Sequence, residues 1–419
     1  MRLMSLDHTR KRNAASSRRF ESGFSESIGA AVALRLVSFI VYGRLSIVTP
    51  AGQVIENSGE QPGPEGMMIL HNWRGLRRLL LQGDLGFAQS YLDGDWSSPD
   101  LAGLIGVADK NADALMRYID GYHLLRSVNK LRHRLRANTK RGSRKNIEAH
   151  YDLGNEFYKL WLDPTMTYSS AIFASADDTL ERAQRRKIAR IVELLDVPGN
   201  GDALEIGCGW GAMSRAIAEA GAAEVVGLTL SPSQRTFALQ AVSDPALASR
   251  IDIRLQDYRD TPGQFDRVVS IEMIEAVGAE FWPVYFKTIH DRLRAGGHAI
   301  IQAITITESR FEAYQSSVDF IQRHIFPGGM LPTPEIIRDQ AQNAGLRYEF
   351  VETFGNSYAK TLAIWRQRFL ELWPVISTQG FDERFKRMWE YYLAYCEAGF
   401  RNGTIDVGLY KLERPAGTS

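Results

Sequence analysis

The sequence predicts an α/β fold whose core is a doubly wound parallel sheet, and three observations lead to this prediction. An apolar run at 203–206 breaks into glycines at 207, 209 and 211. A helical pattern over 213–222 follows, and a second apolar run occupies 225–228. From there to residue 304, strand-like and helix-like segments alternate. Such alternation is typical of a parallel sheet with helices on both faces.

The elements of this core are predicted in chain order from the positions of their apolar residues. An amphipathic helix over 179–195 leads into the first strand. After the second strand come a helix from about 233, strands at 251–255 and 265–271, a helix at 284–293 and a strand at 298–304. Open parallel sheets bind ligands at the carboxyl ends of their strands. The polar residues that follow these strands therefore predict one site along this edge.

The region before the core is predicted to be a small module of mixed α and β structure. Residues 1–22 are rich in serine and arginine and are predicted to form a disordered tail. In the module at 23–125, a strand at 44–50 precedes a hairpin partner from 54, a helix at 71–81 and a second helix within 83–96. A basic segment at 126–145 links this module to the core at 146–419.

The composition is that of an ordinary globular protein: of 419 residues, 44% are hydrophobic and 24% charged. Cys208 and Cys396 lie far apart, which favours a reducing cytosol over export. Neither they nor the eight histidines have the spacing of metal ligands, so no metal is predicted. The longest apolar segment, 28–42, is short for a membrane span and contains Arg35, and the N-terminus does not resemble a signal peptide.

A net charge of +1 conceals a strongly basic segment, because nine basic residues and no acid lie between Arg126 and Lys145. Such a run can be a solvated helix and linker, or it can contact the phosphates of lipid headgroups or nucleic acid. An anionic membrane attracts each nearby basic residue by about 1 kcal/mol. Because no nucleic-acid motif accompanies the segment, we expect a peripheral protein on the inner, cytoplasmic face of the membrane and no nucleic-acid partner.

The spacing of the glycine loop predicts the ligand of the core. Its pattern is G-x-G-x-G after Glu205, which differs from the dinucleotide pattern G-x-G-x-x-G and lacks the Lys-Ser/Thr of a phosphate-binding loop. It is typical of methyltransferases that use S-adenosylmethionine (SAM), although tight turns require the same glycines.

The residues predicted to bind SAM lie in this loop and after the second and third strands: Glu205, Gly207, Gly209, Gly211, Thr229, Gln234, Gln256 and Asp257. The two after the second strand would face the ribose, and the two after the third strand would face the adenine. The alternatives are that Thr229 is a plain strand residue and Asp257 a helix cap.

Ordered motifs outside the glycine loop extend over the chain from about residue 40 to the end. They are Gly-Asp-Leu-Gly at 83–86 through Trp96, Ala-His-Tyr-Asp-Leu-Gly-Asn-Glu-Phe-Tyr at 149–158, Met-Thr-Tyr-Ser-Ser-Ala-Ile-Phe at 166–173, Thr-Leu-Ser-Pro-Ser-Gln at 229–234, Glu-Met-Ile-Glu-Ala-Val-Gly at 272–278, Phe-Ile-Gln-Arg-His-Ile-Phe-Pro-Gly-Gly at 320–329 and Phe-Gly-Asn-Ser-Tyr at 354–358. With them, the chain resembles the cyclopropane-fatty-acyl-phospholipid synthases and their relatives, the mycolic acid cyclopropane synthases. The resemblance implies a Rossmann-like class I SAM methyltransferase core, a lipid-binding N-terminal module and a segment after about 305 that covers an acyl chain.

The resemblance also implies a reaction. The cis double bond of an unsaturated phospholipid acyl chain attacks the methyl group of SAM and becomes a carbocation, and loss of a proton from the new methyl group closes a cyclopropane. Such a site must be dry, because water would quench the cation. Aromatic faces stabilise the cation, and a positioned base takes the proton. Family members hold bicarbonate for this last step, so bicarbonate is expected as the base.

The catalytic residues that the resemblance implies surround this bicarbonate, together with one cysteine: Glu275, Tyr358, Gln302, Ser170, Ile304 and Cys396. Glu275 and Tyr358 would hold the ion directly or through a shared proton. Ser170 and Ile304 would use backbone groups. Cys396 matches a cysteine of the family pattern, and since no step needs a thiolate, packing is its favoured role.

Two further groups of residues follow from the same resemblance. Tyr168 and Ser169 would touch the methionine part of SAM. The C-terminal aromatic residues would form core, and some would line the acyl channel: Trp365, Phe369, Trp389, Tyr391, Tyr392 and Tyr395.

Three departures from the family pattern bear on the product. Ser170 stands where a cysteine is common, Ala276 where a histidine often follows the glutamate, and Gln302 where many members have the histidine that binds bicarbonate. Gln302 can donate a hydrogen bond to an anion but cannot carry a proton. A changed base would let the cation lose a different proton, leaving a methyl-branched alkene as the alternative product.

Two alternatives belong to other classes. One is a lipid-binding protein that keeps the fold without catalysis, and the other is a methyltransferase for small molecules or RNA. The intact Glu275, Tyr358 and glycine loop argue against the first, and the motifs outside the core argue against the second. The sequence leaves a homodimer open.

Overall fold

The structure, a computed structural model, describes residues 26–119 and 153–417. The chain divides into two units, Met1–Leu125 and Arg126–Ser419. The tail predicted at 1–22 and the basic segment predicted at 126–145 lie outside the described residues, as do positions 149–152 of the motif at 149–158. Within 26–119 and 153–417, no helix is both long and apolar enough to cross a membrane.

The first unit is a four-stranded sheet with helices, in strand order β2-β1-β3-β4. Its elements are α1 (26–38), β1 (Tyr42–Val48), β2 (Val54–Ser58), β3 (Gln61–Leu70), α2 (Arg74–Leu92), β4 (Trp96–Ser97), α3 (Leu101–Lys110) and α4 (Ala112–Ile119). The predicted hairpin is confirmed, since β1 and β2 pair antiparallel from Val48 opposite Val54. Strand β3, parallel to β1, was not predicted. The two helices predicted at 71–81 and 83–96 form one kinked helix, α2, whose Gly83 has a φ of 63°.

The second unit contains a seven-stranded sheet in the order β10-β11-β9-β8-β5-β6-β7. Its elements up to residue 306 are α5 (Asn155–Trp161), α6 (Leu180–Leu195), β5 (Asp202–Ile206), α7 (Ala212–Glu219), β6 (Glu224–Thr229), α8 (Pro232–Gln240), α9 (Pro245–Ala248), β7 (Ile251–Leu255), β8 (Phe265–Ile271), α10 (Trp282–Arg292) and β9 (Leu293–Ile306), with short 3₁₀ helices at Tyr258–Asp260, Ile274–Ala276 and Ala279–Phe281. Strands β5 to β9 are mutually parallel, as predicted. Their apolar residues are buried on both faces, which explains why the sequence shows them as continuous apolar runs.

The segment after residue 306 contains helices and also contributes two strands to the sheet. Its elements are α11 (Glu308–Ser316), α12 (Phe320–His324), α13 (Pro334–Asn343), β10 (Arg347–Thr353), α14 (Gly355–Glu371), α15 (Trp373–Ile376), a 3₁₀ helix (Ser377–Gln379), α16 (Glu383–Asn402) and β11 (Ile405–Glu413). Strand β11 pairs antiparallel with β9 and β10. The predicted parallel core is thus extended at this edge by an antiparallel strand, and β11 satisfies the backbone groups that β9 would otherwise leave unpaired.

Candidate active site

The glycine loop lies at the carboxyl end of β5, the central strand of the parallel part of the sheet. Gly207, Gly209 and Gly211 have φ values of 83°, 52° and 86°, a left-handed region that favours glycine. The backbone N–H groups of Gly207 and Cys208 donate to Leu228 O at 3.1 and 2.8 Å, which ties the loop to β6. A Cβ atom added at Gly209 would meet nothing within 4 Å. The loop therefore exposes backbone to open space at the edge where ligands of such sheets bind.

Glu205 lies beneath this loop. Its side chain is buried and accepts a hydrogen bond from the hydroxyl of Ser214 on α7. Burial raises the pKa of the Glu205 carboxyl to about 7, against the effect of that hydrogen bond. In this structure the carboxyl joins β5 to α7 and thereby supports the loop.

The polar residues after the second and third parallel strands lie side by side and bond one another. Thr229 Oγ1 donates to Gln234 Oε1 at 2.7 Å, and Gln256 N donates to Thr229 O at 3.1 Å. Asp257 caps the 3₁₀ helix that follows it and forms an ion pair with Arg259 at 2.7 Å. The structure thus brings the four predicted nucleoside-binding residues to one edge, and Asp257 is also the helix cap that was the alternative.

An aromatic cluster adjoins the segment predicted to touch the methionine part of SAM. The ring centroid of Tyr168 lies 5.5 Å from Tyr158, 5.6 Å from Trp161 and 5.3 Å from Trp365. The hydroxyls of Tyr168 and Tyr392 share a hydrogen bond of 2.8 Å. Ring faces packed this closely exclude water and offer negative potential to a cation. Of the C-terminal aromatic residues, Tyr395 is only partly buried, whereas the others are core: Trp365, Phe369, Trp389, Tyr391 and Tyr392. Trp365 and Tyr392 also contact Tyr168.

A lysine is buried next to this cluster. Lys187 of α6 is 1% exposed, and its Nζ donates to Ser169 Oγ at 2.7 Å. Burial lowers the pKa of Lys187 to about 8, opposed by the nearby carboxylates of Glu272, Asp163 and Glu205. Lys187, which was not singled out from the sequence, thereby fixes the hydroxyl of Ser169.

Four of the groups predicted to bind bicarbonate contact carboxylates of the chain itself. Tyr358 OH donates to Glu272 Oε2 at 2.6 Å, while Gln302 Nε2 and Ser170 N donate to Glu272 Oε1 at 2.7 and 2.9 Å. Ile304 N donates to Glu275 Oε1 at 2.5 Å. Three of these donors meet at the carboxylate of Glu272, and the fourth meets that of Glu275. In each case the acceptor is a side chain of the protein itself.

These contacts do not fit a bicarbonate ion. The donors that would bind it are already directed at Glu272 and Glu275. A second anion between them would place another negative charge beside the buried carboxylate of Glu272. The expectation of bicarbonate as the base is therefore not supported by the residues that this chain presents.

The two glutamates differ in how they are held. Glu272 accepts three hydrogen bonds, although burial raises the pKa of its carboxyl. Burial, followed by the charge of Glu272, raises the pKa of Glu275 to about 8. In the described part of the chain, Glu275 Oε2 is buried without a hydrogen-bond partner. The raised pKa of Glu275 and its unpartnered Oε2 favour a protonated Glu275 beside a charged Glu272 at neutral pH.

Cys396 is a free, partly buried cysteine in α16. Burial, with the nearby charges of Asp319 and Glu272, raises the pKa of its thiol far above the usual value. A thiol that stays protonated is a poor nucleophile. The raised pKa of the Cys396 thiol favours packing, the role also favoured from the sequence, over a role as nucleophile.

Glu272 was not singled out from the sequence, although it begins the motif at 272–278 that carried the resemblance. Two signals were available in the sequence. It directly follows a strand of the parallel sheet, and it stands three residues before Glu275 in Glu-x-x-Glu. A short turn after a strand can bring two such carboxyls together at the carboxyl edge.

Comparison with known proteins agrees with this geometry. A doubly wound sheet with a G-x-G-x-G loop at its carboxyl edge defines a class I SAM-dependent methyltransferase, and SAM is its methyl donor. The chain belongs to the mycolic acid cyclopropane synthetase family, whose model matches residues 138–409.

Three relatives illustrate the similarity. The chain is 41% identical to tuberculostearic acid methyltransferase UfaA1 of Mycobacterium tuberculosis, over 81% of each chain. It is 35% identical to the cyclopropane-fatty-acyl-phospholipid synthase of Escherichia coli, over 79% of this chain and 83% of that one. The solved structure of mycolic acid cyclopropane synthase CmaA1 with SAH and CTAB has a TM-score of 0.60 and 32% identity, covering 64% of this chain and 98% of that one.

Proposed function

We propose that this protein transfers the methyl group of SAM to the cis double bond of an unsaturated acyl chain in a membrane phospholipid. The observation that carries the proposal is a buried pair of carboxyl groups, Glu272 and Glu275, linked to an aromatic cluster. Tyr358 makes the link, since it donates to Glu272 at 2.6 Å and its ring centroid lies 6.2 Å from Trp365. A carbon–carbon double bond has no acidic proton before it is alkylated, so its methylation needs both a cation-stabilising surface and a base.

Different residues of this chain would bind SAM and protect the cation from water. When bound, SAM supplies an electrophilic methyl group. The glycine loop and the polar ends of β6 and β7 would hold its nucleoside, and Tyr168 and Ser169 its methionine part. The aromatic cluster would keep water from the cation on the acyl chain. Names of relatives support an acyl substrate, since they include an acyl-phospholipid synthase and a tuberculostearic acid methyltransferase.

The first product that we propose is a cyclopropane acyl chain, formed when the new methyl group loses a proton. A second candidate, a methyl-branched unsaturated chain, is favoured by two observations. Gln302 cannot carry a proton, and a relative at 41% identity is called a methyltransferase rather than a cyclopropane synthase.

Lipid analysis of cells that express the protein tests this function. We expect unsaturated phospholipid acyl chains to gain one CH2 unit, about 14 mass units, in mass spectra. Proton NMR then identifies the product: upfield ring protons indicate a cyclopropane, whereas retained vinyl and new methyl signals indicate the branched alkene. Cells without the protein are the control. No gain in mass would favour a lipid-binding protein that lacks catalysis.

A membrane-bound substrate also requires that the enzyme reach the bilayer, and we propose that the basic segment makes this contact. Support comes from its nine basic residues without an acid and from apolar side chains of the first unit, because Ile28, Leu34 and Val54 are each more than half exposed. Peripheral binding on the inner face of the membrane follows from these features.

We expect that changing Arg132, Arg134 and Arg136 to glutamine weakens binding to vesicles with anionic lipid, measured by co-sedimentation. Each basic residue contributes about 1 kcal/mol at an anionic surface, so the loss should be large at low salt and small at high salt. Vesicles of zwitterionic lipid alone serve as the control. Equally tight, salt-insensitive binding of the variant would exclude this segment as the membrane contact.

A further inference from the structure

We propose that Glu272 is the proton acceptor of this enzyme, and that its carboxylate does the work that the family resemblance assigns to bicarbonate. The inference rests on the proposed function, because only a reaction through a carbocation needs such a base. It concerns a residue to which neither the motifs nor the comparisons give a role.

The first argument is the set of groups around this carboxylate. Its donors come from three separate parts of the second unit: Ser170 before α6, Gln302 in β9 and Tyr358 in α14. They are the residues expected to surround bicarbonate. These three donors form a cage, and the Glu272 side chain occupies its centre. A base built into the chain thus takes the place of one taken from solution.

The second argument is the backbone at Glu272. Its φ is 48°, in the left-handed region where a residue with a Cβ atom is strained. Such strain is of order 1 kcal/mol or more and persists where the surroundings over-determine the conformation, often at functional sites. Here Glu272 N donates to Gln302 O at 2.8 Å, which fixes the turn after β8. The strained turn aims the carboxylate into the cage.

The third argument is the distribution of charge. Glu275 lies close enough to Glu272 that the charge of Glu272 raises the pKa of Glu275. Three donors stabilise a negative charge on Glu272, and the buried ammonium of Lys187 adds to this effect. Glu275 has only backbone donors, Ile304 N and its own N–H. The pair therefore holds one proton and one charge, and the charge resides on Glu272, the form that a base requires.

The reaction balances with this assignment. The π electron pair of the double bond forms the bond to the methyl carbon, and the pair of the broken sulfur–carbon bond stays on sulfur. A C–H bond of the new methyl group then breaks: its proton goes to a Glu272 oxygen, and its electron pair closes the ring. If the C–H bond of the methylated carbon breaks instead, its pair forms a new double bond. In both cases the neutral Glu272 later returns its proton to water.

Three variants test the proposal in an assay with unsaturated phospholipid vesicles and SAM. Glu272→Gln keeps the shape of the side chain but removes the base, so we expect turnover to fall at least about 100-fold. Glu272→Gly relieves the positive φ and empties the cage. Glu193→Gln, an exposed position on α6, is the control and should keep wild-type turnover. Calorimetric titration with SAM and circular dichroism should show that all three bind SAM and fold.

Added bicarbonate separates a catalytic role from a structural one. Wild-type turnover should be the same in CO2-free buffer as in buffer with bicarbonate, whereas Glu272→Gly should gain activity with bicarbonate in a saturable way. Glu272→Gln should gain nothing, because its side chain still fills the cage. The proposal is overturned if the wild type loses activity in CO2-free buffer, or if Glu272→Gln keeps turnover within about tenfold of wild type. If the wild type binds SAM but never alkylates the lipid, the proposed function fails instead.

Discussion

Replacing Gly209 with valine should abolish the binding of SAM. Gly209 has a φ of 52°, and a β-branched residue in that region is a genuine outlier. No atom lies within 4 Å of the position that its Cβ would take. The new side chain therefore projects into the open space where the loop should receive the cofactor. We expect the dissociation constant for SAM to rise at least about 100-fold, which corresponds to about 2.7 kcal/mol, as measured by isothermal titration calorimetry.

Gly403→Val is the matched control for this change. Gly403 ends α16, has a φ of 71° and also has open space around the Cβ position. Valine should therefore cause similar backbone strain at a site without a role in binding. Both variants should lower the melting temperature by a comparable amount, and Gly403→Val should bind SAM as the wild type does. If Gly209→Val also binds SAM normally, the glycine loop is not the cofactor site.

The parts of the fold that the sequence predicted are those encoded by neighbouring residues. Strands β5 to β9 are short apolar runs because both of their faces are buried, and the glycines that follow β5 are required by positive φ values. Strand β11 was not recognised, because polar residues such as Asp406 and Lys411 interrupt its apolar pattern. It reaches the parallel strands through pairing with β9, about a hundred residues earlier in the chain.

The sequence predicted which residues gather at the candidate site, but not which residues they contact there. Ser170, Gln302 and Tyr358 were all expected around one anion. That this anion is Glu272 depends on contacts between residues separated by 102, 30 and 86 positions. A single sequence contains no direct record of such contacts. The family resemblance implies an anion taken from solution. In the structure, the anion that these residues contact is a carboxylate of the chain itself.

The proton on Glu275 should make the stability of the protein depend on pH, and Glu275→Gln should remove this dependence. The pKa of Glu275 is about 8 in the folded protein, against 4.5 as its ordinary value. Between these values the folded state binds a proton that the unfolded state has lost. Stability therefore falls as pH rises from about 5 to 8. Glutamine cannot ionise, so the variant should gain stability over the wild type across this range.

We expect the stability of Glu275→Gln to exceed that of the wild type by about 2 kcal/mol more at pH 8 than at pH 5, because the ionisation of Glu275 is coupled to the charge of Glu272 and only part of the pKa shift acts on stability. In a unit of this size, each kcal/mol raises the melting temperature by about 2–4 °C. Differential scanning calorimetry at both pH values measures the difference. Glu193→Gln removes the same charge from an exposed side chain and should give an equal offset at both. If Glu275→Gln behaves like that control, Glu275 is ionised throughout, and the two carboxylates do not share a proton.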